Sequence, residues 1–128
     1  MRLLLDTHAV IWWFQGSARL PQRVRDAIEG GADAVFISAV SAFEIALKHR
    51  LGKLPEASVL ALRFEAMALE QGFTPLPITV IHGLAAGNLA IEHRDPFDRL
   101  LMAQAVVEDM TLASNERLFE AAGVNRLW

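Results

Sequence analysis

Apolar residues in this chain fall into short unbroken runs separated by longer segments with helical spacing. "RLLL" (Arg2–Leu5) and "AVFIS" (Ala34–Ser38) read as buried strands, "TLAS" (Thr111–Ser114) as a third, and "VNRL" near the C-terminus as a fainter fourth. Helical stretches lie between them. Ala9–Phe14 follows the first strand, and Pro21–Glu29 starts on a proline and ends at Gly30-Gly31. Ala42–Leu51 stops at Gly52 and Ser58–Gln71 at Gly72; Ile81–Glu92 follows "PLPI", and Pro96–Asp109 carries Phe97, Leu100, Leu101 and Ala105. Strands alternating with helices predict an α/β fold around a mostly parallel sheet. Continuous rather than alternating apolar strands are expected when helices cover both faces.

Composition narrows the class. A chain of 128 residues, 53% hydrophobic, is long enough for one domain with a real core, spanning residues 1–128. A mean hydropathy of +0.29 excludes a disordered chain. No cysteine is present, which removes disulfide and thiol chemistry and fits a reducing compartment. No apolar run reaches membrane-spanning length, and the first run is broken by Asp6 and His8 without a small-residue cleavage site. The expectation is a cytoplasmic protein with no membrane segment. The net charge is −3, so attraction to a polyanion would have to come from local cations or a bound metal. "KHRLGK" (Lys48–Lys53) is the nearest basic cluster; it reads either as a solvated helix end or as a phosphate-contact patch.

Against this background the acids are conspicuous. Asp6 lies within the longest apolar stretch, directly after the first strand, where it or Thr7 can cap the next helix. Glu44 follows the second strand; with Ser41 it spells an S-x-x-E capping box, and Lys48 stands one turn on. In "HRDPFDRLL", Asp95 has Arg99 four residues later, whereas Asp98 has Leu101 and Met102 on its own helix face and no local cation. Glu116 falls in the first turn after Ser114, itself a candidate cap. Each acid has an ordinary local explanation. Jointly, Asp6, Glu44, Asp98 and Glu116 fall at strand exits or helix starts, and a parallel sheet brings such positions to one edge. Carboxylates gathered there repel one another unless a cation joins them. Oxygen ligands suit Mg²⁺ or Mn²⁺, while the histidines lack the spacing of a zinc site. A divalent ion held by acids stabilises charge on a phosphoryl oxygen and generates a nucleophile from water. The chemistry predicted is phosphodiester hydrolysis.

These residues resemble the PIN-domain ribonucleases, specifically the VapC-type toxins of bacterial toxin–antitoxin pairs, over essentially the whole chain. "LLLDTHAVIWW" is similar to the family's opening strand and first acid, and "SAVSAFEIALKHRLGKL" to its second acidic segment, with Glu44 as the carboxylate. "PLPIT" matches a strand before the next helix, "HRDPFDRLLMAQA" has Asp98 in the core acidic position with Asp95 as accessory, and "TLASNERLFEAAGVNRLW" follows the family's ending. The family usually has Asp where Glu116 stands, after a Thr where this chain has Ser114; one extra methylene still lets Glu116 reach a metal but loosens a second ion.

The resemblance implies an α/β/α sandwich with a short, mostly parallel sheet. It also implies Mg²⁺-dependent RNA cleavage, inhibition by a VapB-type antitoxin laid into the groove, and a homodimer. Asp6 and Asp98 would be the principal metal ligands, with Glu44 and Glu116 completing the cage directly or through water and Asp95 a lesser ligand. Arg94, Arg99 and Arg117, flanking the acids, and Ser114 are the candidate substrate contacts. Two other readings stand beside this one: a catalytically weak PIN module that mainly binds a protein partner, and another Asp–Mg²⁺ enzyme such as a phosphatase or receiver domain. The last wants a second acid close to Asp6, where His8 stands instead.

Overall fold

The computed structural model describes residues 1–128. Five parallel strands form one sheet in the order β3-β2-β1-β4-β5: β1 (Arg2–Leu5), β2 (Ala34–Ser38), β3 (Thr74–Leu76), β4 (Thr111–Ala113) and β5 (Arg126–Leu127). The helices are α1 (Thr7–Gln15), α2 (Gln22–Asp26), α3 (Ala39–Arg50), α4 (Ser58–Glu70), α5 (Val80–Asn88) and α6 (Pro96–Val107). The predicted α/β/α sandwich is what forms. Because strand side chains alternate, Leu3 and Leu5 join one core with Val10, Val24, Ile45 and Leu60. Leu4 faces the other core, with Leu101, Met102, Leu112 and Phe119. All three leucines of β1 are fully buried, as expected of a central strand covered on both faces.

Several boundaries differ from the sequence expectation. β3 carries Pro75 and pairs only with β2; a proline is tolerated there because the strand lies at the sheet edge. The Pro21–Glu29 helix ends at Asp26 and runs into a wide π-type turn over Ala27–Gly31. α3 begins three residues early, with Ser38 as its cap through a bond from the Val40 N–H (2.9 Å). Ser41 is therefore inside the helix, and the Ser41–Glu44 capping box does not form. The helix expected to reach Glu92 stops at Asn88. Residues 89–95 instead wrap around Arg99, whose guanidinium donates to the carbonyls of Ala86, Gly87, Leu89, Ile91 and His93. One side chain thus satisfies carbonyls that a longer helix would have bonded internally.

Chain order reverses between β1 and β4, since β2 and β3 lie on one side of β1 while β4 and β5 lie on the other. At such a reversal the loops leaving neighbouring strand ends part company, opening a crevice beyond the carboxyl edge. Asp6 stands at the tip of β1, its N–H bonded to the Ala113 carbonyl at the tip of β4 (3.1 Å).

Candidate active site

Asp6 caps α1 by accepting the Ala9 N–H (2.8 Å) and is also 93% removed from water, with 7% of its surface exposed. Both functions proposed for it from sequence, cap and site acid, are thus compatible with one geometry. Burial pushes its carboxyl up from 3.8 to about 6, against the pull of the Ala9 N–H, the Ser114 hydroxyl and His8; the charge of Asp98 pushes it further up. Asp98, in the first turn of α6, is raised as well, first by burial and then, against the His93 bond, by the charges of Asp95 and Glu44. Asp6 therefore feels the charge of Asp98, and Asp98 that of Glu44.

Each acid is meanwhile held by its own neighbours. Glu44 Oε1 accepts the Thr7 hydroxyl (2.7 Å), and Lys48 Nζ lies 2.5 Å from Oε2. With its proton committed to Glu44, Thr7 must accept from the Ser41 hydroxyl (3.0 Å). Asp98 Oδ2 accepts from His93 Nε2 (2.7 Å). Asp95 caps α6 through the N–H groups of Phe97 (2.9 Å) and Asp98 (3.1 Å). Glu116 caps the 3₁₀ segment Arg117–Ala122 through the Leu118 N–H (3.3 Å). No three Asp, Glu or His side chains surround one point closely enough to hold an ion. The donor chemistry nevertheless suits a hard divalent cation: Asp6 and Asp98 offer carboxylate oxygens, and burial pushes both toward protonation, an effect that nearby positive charge would oppose. What is absent is a ready-made four-acid cage, because Glu44 and Glu116 are drawn aside by closer donors.

Two substrate-contact expectations are corrected. Ser114 is fully buried, its hydroxyl accepting the Glu116 N–H (3.1 Å) and favouring the Asp6 anion, so it serves the interior and does not face solvent. Arg99 spends its donors on five backbone carbonyls and has none to offer a phosphate, nor does it pair with Asp95. Arg94 and Arg117 are exposed. His8 is exposed and lies against Trp12 in a tilted pair with ring centroids 5.4 Å apart. Sequence reasoning missed His93 as the partner of Asp98; the expected helix reached Glu92, and only its early end at Asn88 leaves His93 in the loop that turns back onto α6. An apolar hollow of about 400 Å³ lies beside His93, lined by Ile91, Leu118 and Ala121, and a polar one beside it is lined by Arg94 and Arg99.

Residues 3–125 match the PIN domain family. The chain belongs to that family. No curated protein matches it in sequence. Among solved structures, VapBC2 of Rickettsia felis, bound to a DNA fragment from its promoter, has a similar chain: TM-score 0.74, 16% identity, covering 100% of this chain and 99% of that one. FitAcB of Neisseria gonorrhoeae gives a TM-score of 0.70 at 24% identity, over 98% of this PIN domain and 96% of its own chain. DNA-bound VapBC of Salmonella typhimurium gives 0.69 at 17%, over 99% and 97%. At these identities the likeness is one of fold, and it extends over nearly the full length of each chain.

Proposed function

We propose that this PIN domain is a divalent-metal-dependent endoribonuclease toxin of the VapC type, restrained by a cognate VapB-type antitoxin. The observation that carries the reading is the pair Asp6 and Asp98: two acids from distant parts of the chain, both pushed toward protonation by burial, with Asp6 at the topological switch point of a parallel sheet and feeling the charge of Asp98. PIN domains are generally nucleases, and the solved relatives are VapBC and FitAB proteins. When bound, Mg²⁺ or Mn²⁺ supplies positive charge to the phosphoryl oxygens and lowers the pKa of an attacking water. The chain's own contribution is to hold the ligands. Asp6 is fixed from one side by Ala9 and Ser114, Asp98 by His93, and Glu44 by Thr7. Arg94 and Arg117 are the cations left free for RNA phosphates.

Partners need apolar surface, and there is some to offer. Val80, Ile81 and Leu84 of α5 are each more than half exposed, as are Val59, Leu62 and Leu69 of α4. These faces suit an antitoxin segment and a second copy of the chain. No helix is long and apolar enough to cross a membrane.

The test is RNA cleavage by purified, antitoxin-free protein with and without Mg²⁺. Asp6→Asn and Asp98→Asn should each reduce turnover by about a hundredfold or more while the protein stays folded. A second reading, a weakly catalytic module acting through protein binding, is favoured by one fact: no three acids converge on a point. Folded wild-type protein that cuts no RNA with Mg²⁺ or Mn²⁺ would establish that reading instead.

A further inference from the structure

The two hollows beside His93 adjoin. Ile91, Glu92 and His93 line both, so the apolar one, about 400 Å³, and the polar one, about 390 Å³, form a continuous depression. Each is within the size range of small-molecule sites, about 300–1,000 Å³. The depression borders the candidate active site, because His93 Nε2 is bonded to Asp98 Oδ2 at 2.7 Å. Its shared wall is fixed before any ligand arrives. Arg99 holds the carbonyls of Ile91 (3.0 Å) and His93 (2.8 Å), and the His93 ring stands edge-on to the buried Phe119, with centroids 5.7 Å apart. A wall already ordered loses little freedom on binding.

The lining divides as a nucleotide does, into an apolar part and an anion-attracting part. A flat base suits the hollow walled by Ile91, Leu118 and Ala121; a phosphate suits the other, where Arg94 and Arg99 outnumber Glu92. Arg99 contributes charge alone, since its N–H groups are spent on carbonyls, whereas Arg94 is exposed and can donate to the phosphate. Glu92 also lines the apolar hollow, and a carboxylate can only accept. Guanine, with two adjoining N–H donors on its pairing edge, is the base it suits best. Resting on the nuclease reading above, we propose that this depression is a base-recognition subsite for a guanosine of the RNA, with the base in the apolar hollow and its phosphate on Arg94. No metal ion takes part in the contact.

The experiment is a ¹⁵N chemical-shift titration of the purified full chain, in EDTA, with the 5′-monophosphates of guanosine, adenosine, cytidine and uridine. The guanosine nucleotide should bind tightest, by about tenfold, with shifts centred on residues 91–94 and 118–121. Glu92→Gln should lose that preference. Arg94→Ala should weaken all four nucleotides alike and flatten the salt dependence. Ala121→Trp, on the exposed face of the 3₁₀ segment, should fill the apolar hollow and abolish binding while leaving the Tm near wild type. With Mg²⁺, cleavage of RNA by wild type should favour sites at guanosine, a bias that Glu92→Gln should lose. Wild type that binds no nucleotide, or binds all four equally, would overturn the inference, as would an undiminished guanine preference in Glu92→Gln. Binding of the dipeptide acetyl-Leu-Glu-amide in place of the guanosine nucleotide would make the depression a protein-docking site and overturn it likewise. RNA cleavage that persists through any of these results would leave the nuclease reading intact. Guanosine nucleotide binding without any RNA cleavage would defeat the nuclease reading and leave the subsite standing.

Discussion

At Asp6, burial and hydrogen bonding act on one carboxyl in opposite directions. The Ala9 N–H and the Ser114 hydroxyl favour the anion; loss of water disfavours it more, and the group titrates near 6 instead of 3.8. In the unfolded chain Asp6 has already lost its proton by pH 5, while in the folded chain it mostly keeps it. Stability from this group is therefore fully present below about pH 4 and lost as pH rises through 6, a cost of about 3 kcal/mol at pH 8. Asn caps a helix as well as Asp does. Metal-free Asp6→Asn should accordingly be more stable than wild type at pH 8, by up to about 3 kcal/mol in urea unfolding. The gap should close near pH 4. An equal gap at both pH values would mean that charge is not its source. Asp6 was legible from sequence as an acid in an apolar run. That Ser114 would be its buried partner was not, because the contact joins the ends of two strands over a hundred residues apart.

At the scale of elements, Arg99 decides more than its sequence position suggests. Read along the helix, it pairs with Asp95 or faces solvent. In the fold its guanidinium gathers carbonyls from the end of α5 and the loop before α6, fixing the approach to His93 and hence to Asp98. The flat fork of five donors makes this possible; an ammonium, a point charge, cannot serve carbonyls spread over several turns. Arg99→Met should cost about 3 kcal/mol in urea unfolding, since it strands several partly buried carbonyls. Arg99→Lys should recover less than half of that. Amide exchange at residues 89–95 should accelerate in both variants. Full rescue by lysine would contradict the carbonyl-gathering role. The early end of α5 has the same origin: Gly83 and Gly87 weaken the helix, and Arg99 offers its last carbonyls a better partner.

For the whole molecule, the crevice is a place where folding concentrates negative charge that a bound ion would relieve. Binding to the native state alone raises stability by mass action, about 2.7 kcal/mol at a hundred times Kd. For a domain of this size, Mg²⁺ at that excess should raise the Tm by about 10 °C. Asp98→Asn should remove the rise. Lowering the pH to 5 should shrink it, because protons compete for Asp6. An unchanged Tm at saturating Mg²⁺ in wild type would count against a metal site between these acids.

The layered architecture, the central buried strand and the placement of acids at strand exits are all readable from residue order, because they follow from local periodicity and from the geometry of parallel sheets. Residue order also carries enough local pattern to reveal the PIN family. Which donor each acid finds is set by long-range packing. Asp6 accepts the Ala9 N–H and feels the charge of Asp98, Glu44 turns to Thr7 and Lys48, Glu116 to its own turn, and Ser114 and Arg99 inward. A side chain's final partner is the best donor within reach after packing, and for Asp6 and Glu44 that donor comes in part from segments far away in the chain.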